Sequence, residues 1–293
     1  MGVFPLFFPL SRLTNKRKRS ILYYIYRKNA RVLPQKDTFM RVVIKVGTST
    51  LAHATGKLNI KRTGELCKTL SDLKNAGHEV VLVSSGAIGM GVGKLGLQTK
   101  PTDIPTKQAA AAVGQCELMY TYDKLFAEYG HTVAQILLTG ADFTAEDRHQ
   151  NFNNTITRLL QLGALPIINE NDTIATEEIK VGDNDTLSAL VAVSVKADLL
   201  IILSDVNGLY SADPRKNTNA TLIRAVHGID DTTLRLAGDA GSALGTGGMK
   251  TKLTSAKLCN ANGVDMVIAN GENPDILYTV VNAEQGEYTR FFA

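Results

Sequence analysis

Short apolar runs separated by helical stretches constrain this chain more than any other feature. Arg41-Val-Val-Ile-Lys-Val46, Glu79-Val-Val-Leu-Val83, Thr132 to Leu138, Ala164 to Ile168, Leu199 to Leu203 and Asp265 to Ala269 have strand length and strand composition. Between the first two, apolar residues recur at Ile60, Leu66, Leu70 and Leu73, a helical spacing that stops at Gly77. Further helices are expected over about Thr106 to Tyr129, Phe152 to Leu162, Asp185 to Val195, and from the Gly-rich loop at 245–252 to about Ala261. Strands alternating with helices pack as a mainly parallel sheet covered on both faces. The expected class is therefore α/β, a three-layer α/β/α sandwich. Right-handed crossovers put the ends of parallel strands on one side. The loops at 47–49, 84–86, 169–172 and 204–205 should then line one crevice. The stretches 174–181 and 207–224 read as small β-excursions.

The chain has 293 residues, enough for a sizeable core, and carries a formal net charge of +4. That charge misleads. Residues 1–39 hold nine Lys and Arg against one acid, which leaves 23 bases and 27 acids in residues 40–293. The body is mildly acidic, which argues against a broad nucleic-acid surface. In the tail, charge follows the first apolar stretch, the reverse of a secretory signal. An organellar presequence would carry more serine; a basic arm for an anionic partner is another reading. The reading adopted is a weakly ordered extension, residues 1–39, ahead of a domain that starts at Met40. No apolar run reaches the roughly 20 residues of a membrane span. Cys67, Cys116 and Cys259 are far apart in helical patterns, which suits a reducing cytoplasm and three small buried residues better than a disulfide or zinc framework. No histidine pair has metal-ligand spacing and no G-x-S-x-G elbow occurs, so zinc-enzyme and hydrolase chemistries fit poorly.

Two acid-amide loops follow strand ends, Asn169-Glu-Asn-Asp172 and Gly182-Asp-Asn-Asp185. They are poor core material, and they suit a substrate amino group or a metal-nucleotide. The second also opens a helix and can cap it. Lys45 is a charged residue in an apolar strand just before Gly47-Thr48-Ser49. It either reaches a phosphate or faces water from an edge strand. Ser84-Ser85-Gly86-Ala87 joins a strand to a helix, where backbone N–H groups bind anions or simply accept a cap. Gly91-Val-Gly93-Lys-Leu-Gly96 matches G-x-G-x-x-G but starts too far past its strand, and is read instead as a flexible connection. Gly245-Thr-Gly-Gly-Met-Lys-Thr-Lys252 either brings amides and lysines to phosphate oxygens or is a mobile turn; it is not a Walker A loop.

Taken in order, Val43 to Ser49, Val83 to Ile88, Lys107-Gln108 with Ala112 to Gln115, Ile168 to Asp172, Ile179 to Asp185, Gly208 to Pro214 and Gly245 to Met249 with Lys252 resemble the amino acid kinase family. The pairing of Asn-Glu-Asn-Asp with Gly-Asp-Asn-Asp points to its glutamate-phosphorylating members. The resemblance implies the amino acid kinase fold and transfer of the ATP γ-phosphoryl to the side-chain carboxylate of L-glutamate, the first step of proline synthesis. It implies Lys45, Lys252 and Asp185 as catalytic residues, and Ser85, Asp172 and Asn184 at the glutamate. It places Lys45, Ser204, Asp205, Thr246, Gly247, Gly248, Met249, Lys250, Thr251 and Lys252 at ATP. The Gly47, Thr48 and Gly86 backbones are implied at the phosphoryl group. Mg²⁺ is expected on the nucleotide phosphates, with no ligand from the protein. A cytoplasmic homo-oligomer inhibited by proline is expected, with no membrane or nucleic-acid partner. Many members add a C-terminal PUA domain; residues 40–293 are read as a kinase domain without one. A different acceptor, or nucleotide or RNA binding without turnover, are the competing readings.

Overall fold

The six apolar runs become six adjacent parallel strands of an eight-stranded sheet. The structure, a computed structural model, describes residues 39–53, 57–99, 101–174, 184–236 and 248–293. Among these the strands are β1 (Arg41–Val46), β2 (Glu79–Ser84), β3 (Val133–Leu138), β4 (Leu165–Glu170), β5 (Leu199–Ser204), β6 (Ala225–His227), β7 (Asp265–Asn270) and β8 (Tyr288–Phe292). Their order is β3-β4-β2-β1-β5-β7-β8-β6. From β3 to β7 every pair is parallel, while β8 runs antiparallel to β7 and carries β6 parallel to itself. The chain first winds to one side of β1 and then crosses to β5 on the other. Strand order thus reverses at β1, where open α/β sheets form their crevice.

Helices cover both faces. They are α1 (Thr48–Leu51), α2 (Ile60–Asn75), α3 (Ala87–Lys94), α4 (Ile104–Ala127), α5 (Ala141–Thr144), α6 (Glu146–Gln161), α7 (Asn184–Ser194), α8 (Asp231–Arg235), α9 (Met249–Ala261) and α10 (Ile276–Val281). Local chemistry sets several of their starts. Asn59 accepts from the Arg62 N–H ahead of α2, and Asp103 accepts from the Thr106 N–H ahead of α4. Alternation along the strands then separates two cores. Val43, Val81, Ile168, Leu200 and Ile268 pack with Phe152 and Ile156 of α6, Leu187 of α7 and Leu253 of α9. Val42, Ile44, Leu82, Ile167 and Ile201 pack with Leu66 and Leu70 of α2, Leu118 and Tyr122 of α4 and Leu277 of α10. This is the expected α/β/α sandwich.

Two expectations change and one open alternative closes. Lys45 does not face water from an edge; β1 lies between β2 and β5 and Lys45 is 8% exposed. Most of the supposed flexible connection is the end of α3, because Gly91 lets it lie on α4. A Cβ on Gly91 would meet the Ala110 carbonyl oxygen at 1.7 Å, and one on Gly114 would meet the Ala87 oxygen at 1.8 Å. Cys116 is exposed, since it turns away from the buried face of α4 that carries its neighbour Gln115; Cys67 and Cys259 are buried. The excursion at 207–224 folds back on itself through the antiparallel bridge of Tyr210 to Leu222, flanked by hydrogen bonds from Ser211 N–H to the Thr221 carbonyl and from Ile223 N–H to the Leu209 carbonyl, while nearly all of 174–181 lies outside the described residues.

Candidate active site

Lys45 shares a strand face with Val43, the face that packs on α7 and α9. At the last turn of β1 this aims its ammonium at the first turn of α7. There Asp185 is fully buried, and Lys45 Nζ lies 2.7 Å from its Oδ1. Lys252, in the first turn of α9, reaches the other oxygen, with Nζ 3.0 Å from Oδ2. Thr251 Oγ lies 3.1 Å from the same Oδ2 and 2.8 Å from the Gly248 carbonyl that precedes α9. Three elements distant in sequence therefore meet on one carboxylate. Burial alone pushes that carboxyl upward and is the largest single influence. The two ammonium groups outweigh it and hold Asp185 down at about 2. The triad carries two positive charges and one negative, a surplus of one in a water-poor place.

Beside it, Gly47 precedes α1, and a Cβ there would sit 3.5 Å from Lys45 Nζ. Position 47 therefore lies directly beside that ammonium. Thr48 opens α1. Across the β1–β2 boundary, Ser85 N–H donates to the Val46 carbonyl at 3.0 Å, which ties the two strand ends together. Gly86 follows with φ +105°, a left-handed conformation suited to glycine, and accepts the Met90 N–H as α3 begins.

A cluster of amides fills the other side. Asn184, the first residue of α7, turns its Nδ2 toward Ser85 Oγ at 2.7 Å, Asn169 Oδ1 at 3.0 Å and the Ser84 carbonyl at 3.1 Å. Asn169 lies at the end of β4 and is 2% exposed. Its Nδ2 donates to Gln115 Oε1 of α4 at 2.9 Å. Asp172 is half-buried in the turn after β4, three residues beyond Asn169. The expected pair Ser85 and Asn184 is thus in contact, and Asp172 follows the end of β4.

On the far side of β1, Ser204 ends β5 and is 7% exposed. Its Oγ donates to Asp205 Oδ1 at 3.2 Å, and Arg215 from the 207–224 excursion holds Asp205 Oδ2 at 2.8 Å. Gly248, Met249, Lys250 and Thr251 lead into and open α9, with Lys250 exposed. Thr246 and Gly247 lie outside the described residues. Reading the sequence for sites passed over Asn169, Gln115 and Arg215. The first two stand inside quoted motifs, yet only the fold shows that their side chains meet. Arg215 directly follows the Asp213-Pro214 turn, a position with no signal of its own.

This sheet, with a lysine-carboxylate-lysine triad at its switch point, matches a known class. The chain belongs to the amino acid kinase family, whose pattern it matches over residues 40–270. It is 54% identical over 244 residues to the glutamate 5-kinase of Clostridium acetobutylicum, a match covering 83% of this chain and 91% of that protein. It is 52% identical over 246 residues to the glutamate 5-kinase of Caldanaerobacter subterraneus, covering 84% of this chain and 66% of that one. Among solved structures, UMP kinase from Ureaplasma parvum superposes with a TM-score of 0.61 at 15% identity, over 87% of this chain and 99% of the other. Carbamate kinase from Giardia lamblia bound to AMP-PNP gives 0.61 at 19% identity, over 87% and 99%. Likeness at that level establishes the amino acid kinase fold.

Proposed function

We propose that this protein is a glutamate 5-kinase, transferring the γ-phosphoryl of ATP to the side-chain carboxylate of L-glutamate, the first step of proline synthesis. The observation that carries the reading is the buried triad of Lys45, Asp185 and Lys252, taken with relatives of that name at above 50% identity. A glutamate side chain has a pKa near ~4.3, so the nucleophile is ionised at neutral pH and no general base is required. A carboxylate oxygen attacks the γ-phosphorus as its bond to the bridging oxygen breaks, giving L-glutamyl 5-phosphate and ADP. The obstacle is repulsion between two anions. Preorganised positive charge on the transferred group relieves it. Lys45 and Lys252 supply that charge from two sides, and Asp185 holds both. The Gly47, Thr48 and Gly86 backbones offer further hydrogen bonds to the transferred group. Ser85, Asp172 and Asn184 take the amino-acid end: an acid and an amide suit the ammonium, a hydroxyl suits the carboxylate. Ser204, Asp205 and the loop from Thr246 to Lys252 take the nucleotide.

Mg²⁺ in kinases rides on phosphate oxygens with few protein ligands. The buried carboxylate here is taken by two ammonium groups, so the donor set suits a cation carried on the nucleotide, where it neutralises phosphate charge. No helix among the described residues is long and apolar enough to cross a membrane. A cytoplasmic location, self-association, feedback inhibition by proline, and the division into a basic extension and a kinase domain from residue 40 belong to the same reading, on family resemblance.

The test supplies ATP, Mg²⁺ and hydroxylamine with L-glutamate, L-aspartate or N-acetyl-L-glutamate, and follows hydroxamate and ADP together. Hydroxamate from glutamate alone is expected. Hydroxamate from another acceptor instead would replace the substrate, and none from any acceptor would remove the reaction.

A further inference from the structure

We infer that Gln115, on the buried face of α4, is a positioning residue that holds the Asn169 amide in the place and orientation on which the outward face of the Asn184 amide depends. The inference rests on the proposed glutamate kinase reading and deepens it. An amide side chain has a donor end and an acceptor end, and which one points outward depends on its neighbours. Here a backbone group starts the chain of dependence. The Glu170 N–H donates to Asn169 Oδ1 at 2.9 Å. A backbone N–H cannot reverse its role, so Asn169 must present oxygen on that side and its Nδ2 on the other. Gln115 Oε1 receives that Nδ2 at 2.9 Å in a buried contact. Asn169 Oδ1 then also accepts from Asn184 Nδ2 at 3.0 Å. The remaining acceptors around that Nδ2 are Ser85 Oγ and the Ser84 carbonyl. The donor end of Asn184 is thereby committed inward, which leaves its carbonyl oxygen as the end available to an ammonium group.

Two further observations support a role beyond packing. First, Gln115 takes up this acceptor role at the expense of its own donor: its Nε2 is buried with no hydrogen-bond partner among the described residues. A buried unpaired donor is destabilising, so an apolar residue would serve the core better if core packing were the only demand. Second, Tyr122 lies two helical turns further along the same face of α4 and is fully buried, with its hydroxyl 2.8 Å from Ser84 Oγ. One rigid helix therefore grips the end of β4 through Gln115 and the end of β2 through Tyr122, and Asn184 spans the gap between those two strand ends. The spacing of Ser85 from Asn169, and hence the seat of Asn184, is set by α4.

The experiment compares the full chain with Gln115→Met and Gln115→Glu, measuring KM for glutamate, KM for ATP, kcat and the melting temperature. Gln115→Met removes the acceptor at nearly constant volume. It is expected to raise the glutamate KM about 10-fold while moving kcat and the ATP KM less than about twofold, the pattern of lost ground-state binding. Gln115→Glu keeps an oxygen for Asn169, and is expected to recover most of the glutamate affinity that Gln115→Met loses. Equal rises in both KM values, an unchanged glutamate KM in Gln115→Met, or a Gln115→Glu variant as impaired as Gln115→Met would overturn the inference. If Gln115→Met does not fold, Gln115→Glu decides: a glutamate KM within about threefold of the parent supports it, a larger rise overturns it. A parent protein that makes no hydroxamate from glutamate would instead defeat the kinase reading itself.

Discussion

Replacing Asp185 by Asn keeps the shape of the triad and removes its one negative charge. Two ammonium groups, with Lys45 and Lys252 at 8% and 6% exposure, would then face each other across a neutral amide. Breaking a buried ion pair from one side destabilises by about 3–5 kcal/mol, a large part of the ~5–15 kcal/mol that holds a typical domain together. At about 2–4 °C per kcal/mol for a domain of this size, melting at pH 7 should fall by roughly 6–20 °C. The acid limb gives a second reading of the same carboxylate. Its folded pKa is depressed from 3.8 to about 2, so its contribution is fully present above pH 3.8, fades as pH falls toward 2 and is gone below. That difference corresponds to about 2 kcal/mol, and Asp185→Asn should lose this part of the acid dependence. The discriminating variant is the triple replacement Lys45→Met, Asp185→Asn, Lys252→Met. Apolar substitutes of similar volume are often neutral or stabilising against a buried ion cluster, so the triple variant should recover at least half of what the single one loses, while remaining inactive. Thermal melting by circular dichroism across pH 2 to 8 checks all three points. A single variant melting within 2 °C of the parent, or a triple variant no better than the single, would refute the reasoning that uncompensated charge is what Asp185 suppresses.

Lys252→Ala should cut kcat about 10²-fold or more, the scale of losing one charge-stabilising donor at a reacting centre; steady-state hydroxamate formation measures it, and a near-normal rate would take Lys252 out of the mechanism. Asp172→Ala should raise the glutamate KM far more than the ATP KM, as paired substrate titrations would show; equal rises would argue against its placement at the amino acid. Gly114→Ala drives a methyl group to within 1.8 Å of the Ala87 carbonyl oxygen, so α3 and α4 must part. Overpacking of this kind destabilises by about 1–3 kcal/mol or more, and urea unfolding that leaves the midpoint unchanged would mean that the two helices adapt freely.

The inner strands were legible because parallel strands buried on both faces are near-continuous apolar runs. The part of the sheet that escaped is its antiparallel end. β6 has only three residues, and β8 alternates half-buried Tyr288, Arg290 and Phe292 with buried Thr289 and Phe291. Five residues of period two, with two polar members, carry little signal. The glycine-rich stretch after Gly86 read as a linker because propensity disfavours glycine in helices. Packing overrides that here, since α4 needs a neighbour without side chains at Gly91. At the site, Lys45 left two readings open until strand order placed β1 at the centre. Asp185 stood out in its acid-amide loop, Lys45 in its strand and Lys252 in its Gly-rich loop, and resemblance grouped the three, but no spacing in the chain says that the two oxygens of Asp185 are shared between the lysines. The Gln115–Asn169–Asn184 series was invisible for the same reason: each amide is ordinary alone, and only the junction of α4, β4 and α7 gives them a direction.

The charges of the triad also explain why it takes this form rather than another. The face of the sheet that carries Lys45 is largely apolar, with Val43, Val81, Ile168, Leu187 and Leu253 in one cluster. Stability alone would favour three more apolar side chains there. Phosphoryl transfer instead calls for positive charge where negative charge spreads over the transferred oxygens, in a place dry enough for that charge to act strongly. Two unpaired lysines would meet that need and burden the fold; one lysine fully neutralised by one acid would satisfy the fold and attract no phosphate. Two lysines on a single carboxylate leave one unit of positive charge, with each ammonium already held by a hydrogen-bonding oxygen. On the proposed function, that surplus is what the γ-phosphoryl would meet. On this argument the nucleotide should stabilise the parent fold strongly and the triple apolar variant hardly at all, since only the parent has buried charge for it to satisfy.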